Sequence, residues 1–322
     1  MPLKSAPGRA SIARMKIRGK SGGLAEASAY AARAAGANPF ALEKYRDMDA
    51  DLGVLYKTAD GEELRLDIAL PPEPAFGGAA PLVLEIHGGG WDGGSRYNFS
   101  RDMAKALLRA GVAFAAASYR LVRPGRTVRA CAEDVKDAAR FLAKNASLYG
   151  LDTRAFALFG HSAGGHLALL AALSAPSDFQ GDPELAGFDP TFACAAAKAP
   201  VTTFFHADHF RLDMRRDRSA LERLLGAPPS ANQVEARALS PISYISKDSP
   251  ATLLLHGDAD NLVTWKDSAL FHTHAKKAGA KCELEIAKGG DHLFLAKDGR
   301  PALRGMQRRI DEFLITRLTA AV

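Results

Sequence analysis

What this chain lacks narrows it first. No uninterrupted apolar run in its 322 residues approaches the roughly 18 needed to cross a bilayer. The first thirty residues hold no apolar stretch like that of a secretion signal, so the default expectation is a cytoplasmic protein with no membrane span. Cysteine is scarce: Cys131, Cys194 and Cys282 are odd in number, widely spaced and without a C-x-x-C pair. That argues against a disulfide framework and against a zinc knuckle, and leaves free, mostly buried thiols as the expectation. There is no internal repeat and no Walker motif. Acidic residues are absent from the first twenty positions, where Lys4, Arg9, Arg14, Lys16, Arg18 and Lys20 account for the formal charge of +6. Without interleaved aromatics, such a tail reads as a solvated terminus, and no nucleic-acid partner is expected.

What is present is enough apolar residue, 47%, for a substantial core. Residues 1 to about 22 are expected to be disordered. The Ala-rich stretch 23 to 48 has helical spacing, so residues 1–48 form an extension with one or two helices able to act as a lid, and 49–322 one catalytic domain. From Leu64 the pattern alternates strand and helix. Residues 64–70 read as a half-buried edge strand ended by Pro71-Pro72; 82–86, 112–118 and 156–159 read as strands buried on both faces. Helical spacing marks 100–109, 130–149 and 163–173, with Asp134, Lys136 and Asp137 on an expected solvated face. A strand at 193–199 follows. The rhythm then lapses until Ala251, and this irregular part of 178–250, with Phe204, Phe205, His206, His209, Phe210 and an Arg-rich run at 215–218, is the expected substrate wall. Strands at 252–256 and 282–287 and helices at 266–278 and 302–318 close the chain. The fold class is α/β, a mostly parallel sheet flanked by helices.

Gly160-His161-Ser162-Ala163-Gly164-Gly165 follows a strand and opens a helix, as a nucleophile elbow must. Ser162 at a sharp turn needs strained backbone angles, and side chains two positions either side would collide with the turn. The strand 82–86 runs into His87-Gly88-Gly89-Gly90-Trp91 at the sheet edge where α/β folds bind ligands. Consecutive glycines suit backbone N–H groups that must approach a reacting carbonyl. Gly89, Gly90 and Ala163 are the expected oxyanion donors, each worth about 3 kcal/mol. His87 is expected to hold the loop. Trp91 and His161 are expected against substrate, Trp91 either walling the acyl pocket or simply packing.

In this arrangement the acid and then the base follow the serine along the chain. Asp258 and Asp260 both lie on a turn after a strand; Asp260, deeper in the loop, is favoured. His292, after Gly289-Gly290, has the address of the general base, whereas His272 and His274 sit within a helix. His206 with His209 and His272 with His274 lack a third ligand, so no metal and no cofactor are expected. His166 and His256 read as structural.

The run HGGGW at 87–91, SYRL at 118–121, EDVKDAARFL at 133–142, YGLD at 149–152, GHSAGGHLA at 160–168, SPISYIS at 240–246 and HGDADNLV at 256–263 resembles the α/β-hydrolase carboxylesterases, near the hormone-sensitive-lipase and bifunctional feruloyl/acetyl-xylan esterase branches. The resemblance runs from about residue 50 to the C-terminus. It implies hydrolysis of small-molecule esters of short acyl or aryl-acyl groups without a cofactor, with Asp260 as triad acid and His292 as base. The chain departs from that pattern in Leu121 to Arg126 and in its basic extension. An aryl formamidase with the same triad is the nearest alternative, a non-catalytic binding relative a more distant one, and a homodimer is left open.

Overall fold

A computed structural model of the chain describes residues 43–74, 78–205, 218–228 and 230–322. The expected disorder and lid helices of residues 1–42, and His206, His209, Phe210 and Arg215 to Asp217, lie outside the described residues. The sheet has eight strands: β1 (Asp49–Ala59), β2 (Glu62–Leu70), β3 (Ala80–Ile86), β4 (Ala113–Ala117), β5 (Leu151–His161), β6 (Phe192–Lys198), β7 (Ala251–Gly257) and β8 (Cys282–Ala287). Their order is β1-β2-β4-β3-β5-β6-β7-β8. The first two junctions are antiparallel and the rest parallel. After β3 the chain crosses to one side and after β5 to the other, so the ends of β3 and β5 meet at the switch point where such sheets open a crevice.

Five helices follow the expected periodicity: α1 (Arg101–Arg109), α2 (Val128–Lys144), α3 (Ala163–Leu173), α6 (Trp265–Ala278) and α7 (Met306–Thr319), while α4 (Arg218–Leu225) and α5 (Gln233–Ala238) fall in the stretch expected to be irregular. Ser100 caps α1 by accepting from the Met103 N–H at 3.3 Å, and Met103, Ala104, Leu107 and Leu108 form its buried stripe. The strand alternation divides the core in two. Leu82, Leu84 and Ile86 face α2 and α3, while Val83, Phe114 and Phe159 face α1 and α7. α3, buried along its whole length to Ala172, has no polar face; it runs beneath the elbow between sheet and outer helices.

Three expectations change. Residues 64–70 are not an edge strand: β1 pairs outside β2. β1 escapes a period-two reading because register shifts between Asp51 and Val54 and between Leu55 and Lys57 break its alternation. The face of α2 carrying Asp134, Lys136 and Asp137 is buried rather than solvated. Lys57 on β1 reaches Asp134 at 2.8 Å and Asp137 at 2.7 Å, Arg120 binds Asp134 at 2.8 Å, and Arg140 binds Asp137 at 3.1 Å. The predicted helix 130–149 is interrupted at Asn145 and resumes as a single turn, Ala146–Tyr149. Just ahead of β1, Tyr45 is fully buried with its ring 4.8 Å from that of Phe99.

Candidate active site

The elbow is built by exclusion. Ser162 takes φ 57° and ψ −123° between β5 and α3, a conformation costing about 1–3 kcal/mol that the surroundings must enforce. A Cβ at Gly160 would stand 2.4 Å from the Gly164 carbonyl, and one at Gly164 would stand 2.1 Å from the carbonyl oxygen of Ile86 at the end of β3. Glycine at both positions lets the helix start press against both strand ends, which fixes the hydroxyl at the crevice.

The base arrives from the loop after β8. His292 Nε2 accepts from the Ser162 hydroxyl at 2.9 Å, and His292 Nδ1 donates to Asp260 Oδ2 at 2.7 Å. Asp260 is in turn held from three sides. Its Oδ1 accepts from the N–H groups of Leu262 at 2.8 Å and Val263 at 2.9 Å. Its Oδ2 also lies 3.2 Å from Nε2 of His256, whose Nδ1 accepts from Ser268 Oγ at 2.8 Å. Burial works to raise this carboxyl, but hydrogen bonds from His256 and His292, with the charge of His292, hold it well below the usual carboxylate range. Asp258, the discarded alternative, instead accepts from the Gly289 N–H at 2.6 Å. It braces the base loop rather than the base.

Gly89 (φ 124°) and Gly90 (φ 62°) line the same cavity, of about 710 Å³, as Ser162 and His292. Among the described residues no backbone acceptor takes the N–H groups of Gly89, Gly90 or Ala163. His87 props the loop: its Nδ1 donates to the Gly88 carbonyl at 2.9 Å, its ring stacks on Tyr119 at 4.2 Å, and the Tyr119 hydroxyl donates to the His87 carbonyl at 3.0 Å. Burial lowers it to about 4, so it stays neutral.

Of the two residues expected against substrate, Trp91 takes the packing alternative. It is buried and does not line this cavity. Its indole N–H donates to His166 Nδ1 at 3.1 Å, and its ring lies 5.6 Å from that of Phe204. Turned inward, it anchors the glycine loop to α3, and His166 completes the tie by donating from Nε2 to the Leu239 carbonyl at 2.7 Å. His161 does line the cavity, but its Nε2 is committed to the carbonyl of His292 at 3.0 Å, with the two rings 4.8 Å apart. Burial, then the nearby Lys198, lower it to about 4. None of the described residues of 178–250 lines this cavity. Sequence reasoning gave His256 only a structural part; the four-residue spacing to Asp260 across a tight turn was the signal for its contact. Among the described residues no group of three or more His, Cys, Asp or Glu is placed to hold a metal ion, and no helix is long and apolar enough to cross a membrane.

The chain is 32% identical over 231 residues to the probable carboxylic ester hydrolase LipM of Mycobacterium tuberculosis, covering 69% of this chain and 51% of LipM. It is 27% identical to the ethyl acetate hydrolase of Pseudomonas putida, covering 74% of this chain and 73% of that one. It thus spans about half the length of the mycobacterial relatives it matches, esterase LipQ included at 51%. Among solved structures, butyrate-bound esterase 2 of Thermogutta terrifontis superposes with a TM-score of 0.68 at 28% identity, covering 84% of this chain and 94% of that chain. The same esterase phosphonylated by sarin gives 0.69 at 27% identity, covering 84% and 95%. The BD-FAE family model matches residues 66–275, more than half of the sequence, from within β2 to within α6; the chain therefore belongs to the BD-FAE family and carries the α/β-hydrolase fold.

Proposed function

We propose that the protein is a serine carboxylesterase acting on esters of short acyl or aryl-acyl groups. The observation carrying this reading is the continuous chain Ser162 Oγ, His292, Asp260, with contacts of 2.9 and 2.7 Å, opening into the cavity lined by Gly89 and Gly90. Ser162 Oγ bonds to the ester carbonyl carbon as its proton passes to His292 Nε2, and the N–H groups of Gly89, Gly90 and Ala163 take the oxyanion. Collapse breaks the bond to the alcohol oxygen, which receives the proton from His292. Water then repeats the sequence on the acyl-enzyme, releasing acid and free serine. Asp260 keeps the proton of neutral His292 on Nδ1, so that Nε2 is free to accept, and it steadies the imidazolium.

The esterase names of LipM and the ethyl acetate hydrolase, and the butyrate and sarin complexes of the Thermogutta enzyme, support the reading by kinship. Residues 49–322 as the catalytic unit, the basic extension as a lid, a cytoplasmic site and a homodimer belong to the same proposal; the buried thiols of Cys131 and Cys194 suit a reducing compartment. The test is turnover of p-nitrophenyl acetate and butyrate against matched anilides and an N-formyl arylamine. Esters turned over well above the amides support the proposal. Activity confined to the amides contradicts it in favour of an amidase.

A further inference from the structure

Ser162 and His292 share their cavity with polar side chains that the ester chemistry does not use. Its wall also includes Glu85, Lys44 and Asn98. Glu85 on β3 pairs with Phe159 on β5, and His161 pairs with Lys198 on β6, so Glu85, His161 and Lys198 share the sheet face covered by α1 and α7. Glu85 is only 8% exposed, and among the described residues its Oε2 has no hydrogen-bond partner. Its other contact is the Ser100 N–H. A buried, unpartnered carboxyl oxygen at a cavity wall is costly unless something that enters the cavity meets it.

The surrounding groups indicate what that is. Lys44 Nζ donates to the Phe99 carbonyl at 2.7 Å over the Phe99 ring, which leaves further N–H groups to offer. Asn98 Oδ1 is taken by Ser95, so its amide N–H groups are what it can present. Lys198, whose ammonium lies over the Phe294 ring, adds a second positive charge within reach of Glu85. Two ammonium groups thus face one carboxyl, an excess of charge and of donors in either protonation state of Glu85. Other charges nearby do not reverse it: Arg96 pairs with the buried Asp67, and Asp92, beside Gly90, is exposed to water. Burial raises Glu85 to about 8 despite both lysines, so near neutral pH it carries a proton and acts as one more donor.

We propose that this part of the cavity wall is a carboxylate subsite, where Lys44, Glu85 and Asn98 hold an anionic carboxylate on an arm of an ester substrate whose carbonyl sits at Ser162. The proposal rests on the esterase reading and narrows its substrate class to esters bearing a free acid.

Two matched pairs test it. One is the p-nitrophenyl monoester of glutaric acid against p-nitrophenyl valerate, with the acid on the acyl arm. The other is 4-acetoxybenzoate against its methyl ester, with the acid on the alcohol arm. The readout is the kcat/KM ratio of acid to uncharged ester, taken within each variant so that any loss of folded enzyme cancels. At neutral pH and low salt, one of the two ratios should be roughly tenfold or more, the size of one charge-assisted hydrogen bond. It should fall to near unity in Lys44→Met and in Glu85→Leu, persist in Glu85→Gln, which keeps a donor, and decline above about pH 8 and with added salt. Two ratios at or below unity in the native enzyme, or a preference that survives either Lys44→Met or Glu85→Leu, overturns the subsite. Failure of the underlying reading looks different, because then the uncharged esters are not turned over at all.

Discussion

Two of the regions that bury carboxylates in this molecule do so for opposite ends. Behind α2, Asp134 and Asp137 are sealed with Lys57, Arg120 and Arg140, every charge matched inside the fold. In the crevice, Asp260 is matched by two histidines, one of which leads straight to a serine hydroxyl at the cavity wall. The first arrangement fixes β1 against the domain and has nothing left to give. The second spends its hydrogen bonds on orienting a group that must exchange a proton. A buried ion pair is weak evidence of net stabilisation, yet removing one partner strands the other; that asymmetry separates the two regions experimentally.

Asp260→Asn should give the largest effect. The amide cannot impose the Nδ1–H tautomer on His292, so kcat on p-nitrophenyl butyrate should drop by about 10⁴-fold with the fold retained by circular dichroism. A loss under tenfold would erase the contrast. Asp134→Ala should do the reverse. It leaves Lys57 and Arg120 without a shared partner and should cost about 3–5 kcal/mol in denaturant unfolding, while activity per folded molecule stays within a few fold of native.

A smaller effect belongs to His161, which acts through His292 rather than on substrate. His161→Leu should lower kcat by roughly tenfold with little change in KM, by a local slip of the base loop. His161→Gln, whose amide can still donate to the His292 carbonyl, should recover most of it; equal losses in both variants would reassign His161 to the substrate. A further effect is on the pH dependence of stability. Glu85 ionises near 8 when folded but near its ordinary 4.5 when unfolded. The folded state therefore holds a proton that the unfolded state releases, and stability falls as pH rises between those values. Thermal scans should show Glu85→Gln gaining on the native protein from about pH 5 to 8 and then levelling. A gap that does not change with pH removes the buried-acid account of this position.

The same contrast explains what could be read from the residues alone. The elbow, glycine loop and post-strand turns were legible because each needs local backbone geometry that a few adjacent residue types announce. Gly160 and Gly164 are required by contacts with their own turn and with the end of β3. The five longer helices that were expected agreed to within a few residues because their apolar stripes follow a single period, whereas the short helices Arg218–Leu225 and Gln233–Ala238 were missed. The ion network was not legible. Asp134, Lys136 and Asp137 look like any solvated helix face until Lys57 arrives from a strand 77 positions away, as counted between Lys57 and Asp134. That strand was itself hidden by its bulges. Trp91 was left between two readings for a related reason, because its partners His166 and Phe204 are remote in sequence and only packing shows which way the indole turns.

The most direct measurement of the central claim is to treat the native protein with a fluorophosphonate probe and map the labelled peptide by mass spectrometry. The account predicts a single stoichiometric adduct on Ser162, absent in Ser162→Ala and slowed in Asp260→Asn. An adduct on another residue, or a folded native protein that hydrolyses esters yet takes no label at Ser162, would contradict it.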